Sequence, residues 1–222
     1  DGRMVTEIWV GQFCIVGGEA CEQGPWVGAF PARGGALAAD LYVLVEPSLP
    51  GSEDFCQPLV AVIGRLFRQQ RLSVTGALLA SLRAAHNHLR DWNDRSLREH
   101  RVGAGATCLA LRGAEAYLAQ AGPALAYCRH QGQLRALSPQ EATAVEPIGI
   151  AAEFYPSFSC CQVAAGDALL LTTTSLHSIA DDQVMEGLLA LQAQDILPEL
   201  YSLVRHLPEF AALLIAFLPT EP

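Results

Sequence analysis

Apolar residues along the chain follow three successive rhythms. From Glu7 to Val45 they come in short runs: Ile8, Val10, Phe13, Ile15 and Val16, then Trp26 to Phe30, then Leu41 to Val45. Gly17-Gly18, Gly24-Pro25 and Gly34-Gly35 separate the runs, a pattern that predicts strands joined by turns. After a turn from Ser48 to Glu53 that holds Pro50-Gly51, the period becomes helical. Leu59, Val62, Ile63, Leu66 and Phe67 recur at spacings of three and four, and Leu78, Leu79, Leu82, His86, Leu89 and Trp92 define a second helix face. After Gly103 the short runs return at 108–111, 116–119, 125–128 and 134–137, a spacing that predicts an antiparallel meander. A strand at Ala168 to Leu171 follows Gly166-Asp167. Helices are expected over Asp181 to Ala193 and Asp195 to His206, with Pro198 in the first turn of the latter. Ala211 to Leu218 reads as a closing buried strand. Strands, two long helices, strands, helices and a last strand predict an α+β fold with packed sheets and outer helices.

Composition narrows the function classes. The chain has 222 residues, is 51% hydrophobic and 17% charged, and carries 23 acidic residues against 14 basic ones. This length accommodates a large core in one domain, 1–222, and the composition excludes a disordered chain. A net charge of −9 argues against nucleic acid and anionic membrane as partners. Every basic residue is Arg, so lysine chemistry is excluded. Eight arginines lie between Arg65 and Arg101, readable as a partner-binding strip or as the solvated side of two amphipathic helices. The seven cysteines are odd in number and scattered, which suits buried hydrophobes in a reducing cytoplasm better than a disulfide framework. No apolar run approaches the ~18 residues of a membrane span, and no secretory signal opens the chain. With Met4 close to the start, residues 1–3 read as expression-derived. The expected location is cytoplasmic.

Familiar catalytic signatures are absent. His86 and His88 are two apart and so face different sides of a helix, unlike helical zinc ligands. Cys160 and Cys161 are adjacent and alternate across a strand, so they do not form a chelating pair. There is no Cys-x-x-Cys, Gly-x-Ser-x-Gly or P-loop. His177, just after Thr172-Thr173-Thr174-Ser175, is either an acid–base group of a hydroxyl-lined anion pocket or a capping or surface histidine. The Thr run itself is either that pocket or a strand leaving the core.

Several segments, in order, resemble the PPM-type (type 2C) metal-dependent serine/threonine protein phosphatases. Residues 122–138, Gly-Pro-Ala-Leu-Ala-Tyr-Cys-Arg-His-Gln-Gly-Gln-Leu-Arg-Ala-Leu-Ser, look like that family's Gly-Asp-Ser-Arg-Ala-Tyr hairpin, which continues through a turn glycine to Leu-Thr. Gly105-Ala106-Thr107 resembles the Gly-Thr-Thr before the preceding strand. Residues 166–176 are similar to Gly-Asp-x-Leu-Leu-Leu-Cys-Ser-Asp-Gly-Leu, and the segment from Asp181 fits the helix that follows. Leu41 to Val45, leading into Glu46-Pro47, sits where the family has a strand running into Asp-Gly. The resemblance implies a four-layer α-β-β-α sandwich of two antiparallel sheets flanked by helices. It also implies two Mn²⁺ or Mg²⁺ ions at one end, bound by carboxylates and activating a water for in-line attack.

The carboxylate positions depart from that pattern. Glu46-Pro47 replaces Asp-Gly, Thr174 stands where a bridging Asp is implied, and Glu209-Phe210-Ala211-Ala212 aligns with a final Asp-Asn-x-Thr. The family's Asn-Glu-Asp falls near Glu22-Gln23-Gly24, and Pro123, Ala124 and Leu125 delete a polar cluster of the hairpin. Glu46 and Glu209 are thus the candidate metal ligands, as an altered or relict site; otherwise they are surface glutamates at strand ends. The resemblance so read implies a degenerate phosphatase, a pseudophosphatase acting as a binding or regulatory module. No catalytic residue, no cofactor and a protein partner are expected. The alternative is an active phosphatase using Mn²⁺ or Mg²⁺ at an altered site.

Overall fold

The computed structural model describes residues 7–32, 38–137 and 145–219. Residues 1–3 with Met4, the Gly34-Gly35 break and Ser138 of the resemblance lie outside the described residues. The strands that read as unbroken apolar runs, β4 (Asp40–Pro47), β5 (Ala104–Arg112), β10 (Ala168–Thr172) and β11 (Phe210–Leu218), are buried almost throughout. A strand can be apolar on both faces only where both faces are covered, so these four occupy the interiors of two sheets.

One sheet has six strands in the order β2-β1-β11-β10-β7-β8, formed with β1 (Glu7–Val16), β2 (Glu19–Cys21), β7 (Leu125–His130) and β8 (Gln133–Ala136). The other has five, β3-β4-β5-β6-β9, with β3 (Val27–Phe30), β6 (Glu115–Ala121) and β9 (Ser157–Gln162). All of the pairings are antiparallel. The outermost strand β9 alternates half-buried and exposed residues, as an edge strand with one wet face should. Helices α1 (Glu53–Gln69) and α2 (Val74–Asn93) cover the five-stranded sheet, while α3 (Asp182–Leu189) and α4 (Ala193–Val204) cover the other. The result is the α-β-β-α order of layers that the resemblance implies.

The helices begin where local chemistry allows. Ser73 Oγ accepts from the Gly76 amide at 3.2 Å to cap α2, and Asp181 Oδ1 accepts from Val184 N at 2.9 Å to cap α3. Helix α4 starts at Ala193, so Pro198 lies in its second turn rather than the first. Trp92 is not on the buried face of α2; it is 50% exposed against Phe55, and Asn93 turns inward instead. All eight arginines from Arg65 to Arg101 are exposed, with Arg68 stacked over Phe30 and Arg90 bonded to the Ala152 carbonyl at 2.7 Å.

The expected single meander over 108–137 is instead two hairpins on different sheets. β5-β6 belongs to the five-stranded sheet and β7-β8 to the six-stranded one, so Gly122-Pro123 carries the chain across the sandwich. Periodicity marks strands but not which sheet a strand joins, and the crossing rests on two glycines. Gly122 has φ +69°, and a Cβ there would lie 2.6 Å from the Ala104 carbonyl oxygen. A Cβ on Gly105 would lie 1.6 Å from the Pro123 carbonyl oxygen. The Gly105→Ala variant therefore has to push the two sheets apart at this end, an overpacking cost of about 1–3 kcal/mol. Urea unfolding will show that loss; a change within about 0.5 kcal/mol of zero contradicts the close approach.

Candidate functional site

The implied metal end lies where β4 and β10 leave the core. Glu46 is the last carboxylate of β4, opposite Gly105 in the register, and only 5% exposed. Its two oxygens are held from the opposite sheet, just past β10. The Thr174 amide donates to Oε2 at 2.6 Å and the Thr174 hydroxyl to Oε1 at 2.7 Å. Two positions where the resemblance implies metal-binding carboxylates are thus joined to each other, glutamate to threonine.

The rest of the Thr run is also satisfied internally. Thr172 Oγ1 donates to the Thr173 carbonyl at 3.3 Å, and Thr173 Oγ1 lies 3.1 Å from Ser175 Oγ and 3.5 Å from Ala211 N. Residues Thr174–Ser178 form a short 3-10 turn, so the run is a strand leaving the core. The group it holds is the chain's own Glu46 carboxyl. His177 sits on this turn as an exposed side chain.

Glu209 precedes β11 at the same end and is half-buried. Its carboxyl is pushed up, first by burial and then by the like charge of Glu53. Glu53, Glu46 and Glu209 all act on the fully buried Cys56 thiol, which burial above all raises. Negative charge is therefore concentrated here, although among the described residues no three His, Cys, Asp or Glu side chains form a group that could hold a metal ion. Hard dications draw on several ionised oxygens, whereas Glu46 faces an amide and a hydroxyl. Glu22, near the implied Asn-Glu-Asp, is exposed and lines a depression against α4 with Phe13 and Tyr201 instead.

Elsewhere the polar residues are structural. Asn93 bonds Val102 at both its amide and carbonyl, 2.8 and 2.7 Å, and the Gly149 carbonyl at 3.0 Å. His86 Nδ1 accepts from Gly149 N at 3.1 Å beside Phe154, while His88 is exposed, so the two histidines are indeed separated. Asp167, noticed only as part of a strand motif, is 3% exposed and ties three segments together. It accepts from Ala164 N at 2.8 Å and Gln131 N at 3.0 Å, and lies 2.6 Å from His130 Nδ1.

Among solved structures the chain is similar to bacterial phosphatases over nearly its whole length. PppA, "a key regulatory component of T6SS in Pseudomonas aeruginosa", shares 21% identity with a TM-score of 0.72 over 95% of this chain and 98% of that one. The S. agalactiae serine/threonine phosphatase superposes with a TM-score of 0.78 at 14% identity, covering 95% and 99%. Stp1 from Staphylococcus aureus does so with 0.77 at 14%, covering 99% and 100%. The fold is that of the PPM-type serine/threonine phosphatases. No protein-family model matches the sequence, and neither does any curated protein. At such identities the likeness establishes the PPM fold alone. No helix among the described residues is long and apolar enough to cross a membrane.

Burial raises the Glu46 carboxyl from an ordinary 4.5 to about 7, against the two Thr174 bonds that lower it. Because the folded value is the higher one, the folded state holds the extra proton between these values. Stability from this group is then complete below about pH 4.5 and is lost as pH rises through about 7, on the order of 3 kcal/mol. Gln at this position keeps the shape without the charge. Glu46→Gln is expected to match the parent near pH 4.5 and exceed its unfolding free energy at pH 8. Urea titrations at the two pH values check this, and a variant weaker at pH 8 contradicts it.

Proposed function

We propose that this PPM-fold chain is a pseudophosphatase, a protein-binding or regulatory module without hydrolytic activity. The observation that carries the reading is the Glu46–Thr174 pair. Two-metal phosphoryl hydrolysis needs carboxylates that stay ionised and free to ligate. Glu46 is buried, biased towards its neutral form and bonded at both oxygens, and its partner Thr174 brings no charge. Pro47 adds a fixed φ where the resemblance implies a flexible glycine. A net charge of −9 favours a protein partner over polyanions. PppA, similar in fold, is described as regulatory in a secretion system, which makes a signalling assembly a sensible context in which to seek that partner.

One observation favours a second reading. Glu46, Glu53 and Glu209 still gather negative charge around Cys56. An active phosphatase could draw Mn²⁺ or Mg²⁺ to this end through Glu46 and Glu209 if a dication displaced the Thr174 bonds. Calorimetry with Mn²⁺ and turnover of p-nitrophenyl phosphate separate the two. Absent or millimolar metal binding without turnover is expected. Micromolar binding that Glu46→Ala abolishes, together with turnover, overturns the pseudophosphatase.

A further inference from the structure

The two sheets end in four edge strands, and three of them are blunted against pairing with another chain. β2 has three residues and opens on Glu19, β3 has four and runs into Pro31, and β8 has four and carries Arg135. Short length, charge and proline are the usual protections of an exposed edge. β9 has none of them within its span: Ser157-Phe158-Ser159-Cys160-Cys161-Gln162 is six residues without a charge, a proline or a glycine. Its neighbouring charges, Arg112 and Glu115, are paired with each other.

The register shows which backbone groups this edge leaves open. Val163 N donates to the Ala114 carbonyl at 2.9 Å, and Glu115 stands opposite Gln162 in the continuous β6–β9 ladder. Hydrogen-bonded pairs alternate along an antiparallel ladder, so Ser157, Ser159 and Cys161 bond to β6. Phe158, Cys160 and Gln162 therefore turn their amides and carbonyls away from the sheet. No hydrogen bond from these outward groups is formed among the described residues. The same three residues have exposed side chains, and Phe158 is 45% exposed.

We propose that β9 is a homodimer seam, on which a second copy of this chain pairs its own β9 antiparallel about a two-fold axis at Cys160. A two-fold pairing sets one residue opposite its own copy. Centring on Cys160 aligns all three open residues: Phe158 with the second copy's Gln162, Cys160 with Cys160, and Gln162 with Phe158. Three hydrogen-bonded pairs of two bonds each give about six bonds across the seam, whereas centring on Ser159 or Cys161 gives about four. The strand thus complements itself donor to acceptor, and it offers no charge for a charged partner to recognise. Two copies of net charge −9 repel elsewhere on their surfaces, and this neutral edge is where they can meet. Joining the two five-stranded sheets makes one continuous sheet. The seam is only about 17 Å long, so the dimer is expected to be weak, with a micromolar dissociation constant.

Sedimentation of the reduced protein from about 1 to about 300 µM is expected to show a monomer giving way to a dimer, strengthened by salt that screens the repulsion. Residue-resolved amide exchange on the parent protein should slow at Phe158, Cys160 and Gln162 as concentration rises, by at least tenfold. A mild oxidant should trap a Cys160–Cys160 disulfide dimer, because hydrogen-bonded pairs hold their Cα atoms about 5.5 Å apart, within disulfide reach. Cys160→Lys sets two charges against each other at the axis and should leave a monomer whose circular dichroism matches the parent. A monomer throughout the range, a dimer that salt dissolves or that folded Cys160→Lys retains, or concentration-independent exchange at the three amides overturns the proposal.

Discussion

Two sheets packed face to face exclude water from the layer between them, so a polar group entering that layer has to find its partner on the facing sheet. Glu46 meets this demand with Thr174, joining the end of β4 to the chain just past β10. Among the described residues Thr107 is an exception: its hydroxyl is buried without a partner in the middle of the five-stranded sheet. Net hydrogen bonds are worth only about 1 kcal/mol, but an unpaired buried carboxylate costs far more. This difference explains why Glu46 takes two donors while Thr107 goes without.

The same demand reshapes the end of the fold that the resemblance marks for metals. In a site built around dications, mutually repelling carboxylates are held together by the ion. At this end of the present chain Thr174 instead bonds Glu46 directly through its amide and hydroxyl. The backbone remains PPM-like because the crossing at Gly105 and Gly122-Pro123 depends on close main-chain packing rather than on charge. Fold and chemistry are separable here since different residues maintain them.

The strands and helices were largely legible from periodicity. Central strands β4, β5, β10 and β11 read as unbroken apolar runs, and the helical faces around Leu59 and Leu82 appear at spacings of three and four. Sheet membership was not legible. The runs at 116–119 and 125–128 are indistinguishable in pattern, yet Gly122 sends them to different sheets. Trp92 likewise fits its helical stripe by spacing and still faces solvent, because Phe55 rather than the core receives it. Glu46 and Glu209 could be picked out by position, but nothing in the sequence predicts that Glu46 would be buried and Glu209 only half so.

The sequence alone determined the kind of layers and the poverty of acid at the implied metal positions, since periodicity and residue type are local properties. Tertiary structure decided which groups answer one another. Glu46 and Thr174 are separated by 128 positions, and their bond exists only after the two sheets pack. Cys160 and Cys161 are adjacent in the chain, yet packing leaves the first exposed and half-buries the second. Proximity across a sandwich is set by sheet order and register, and neither is written in any short stretch of the chain.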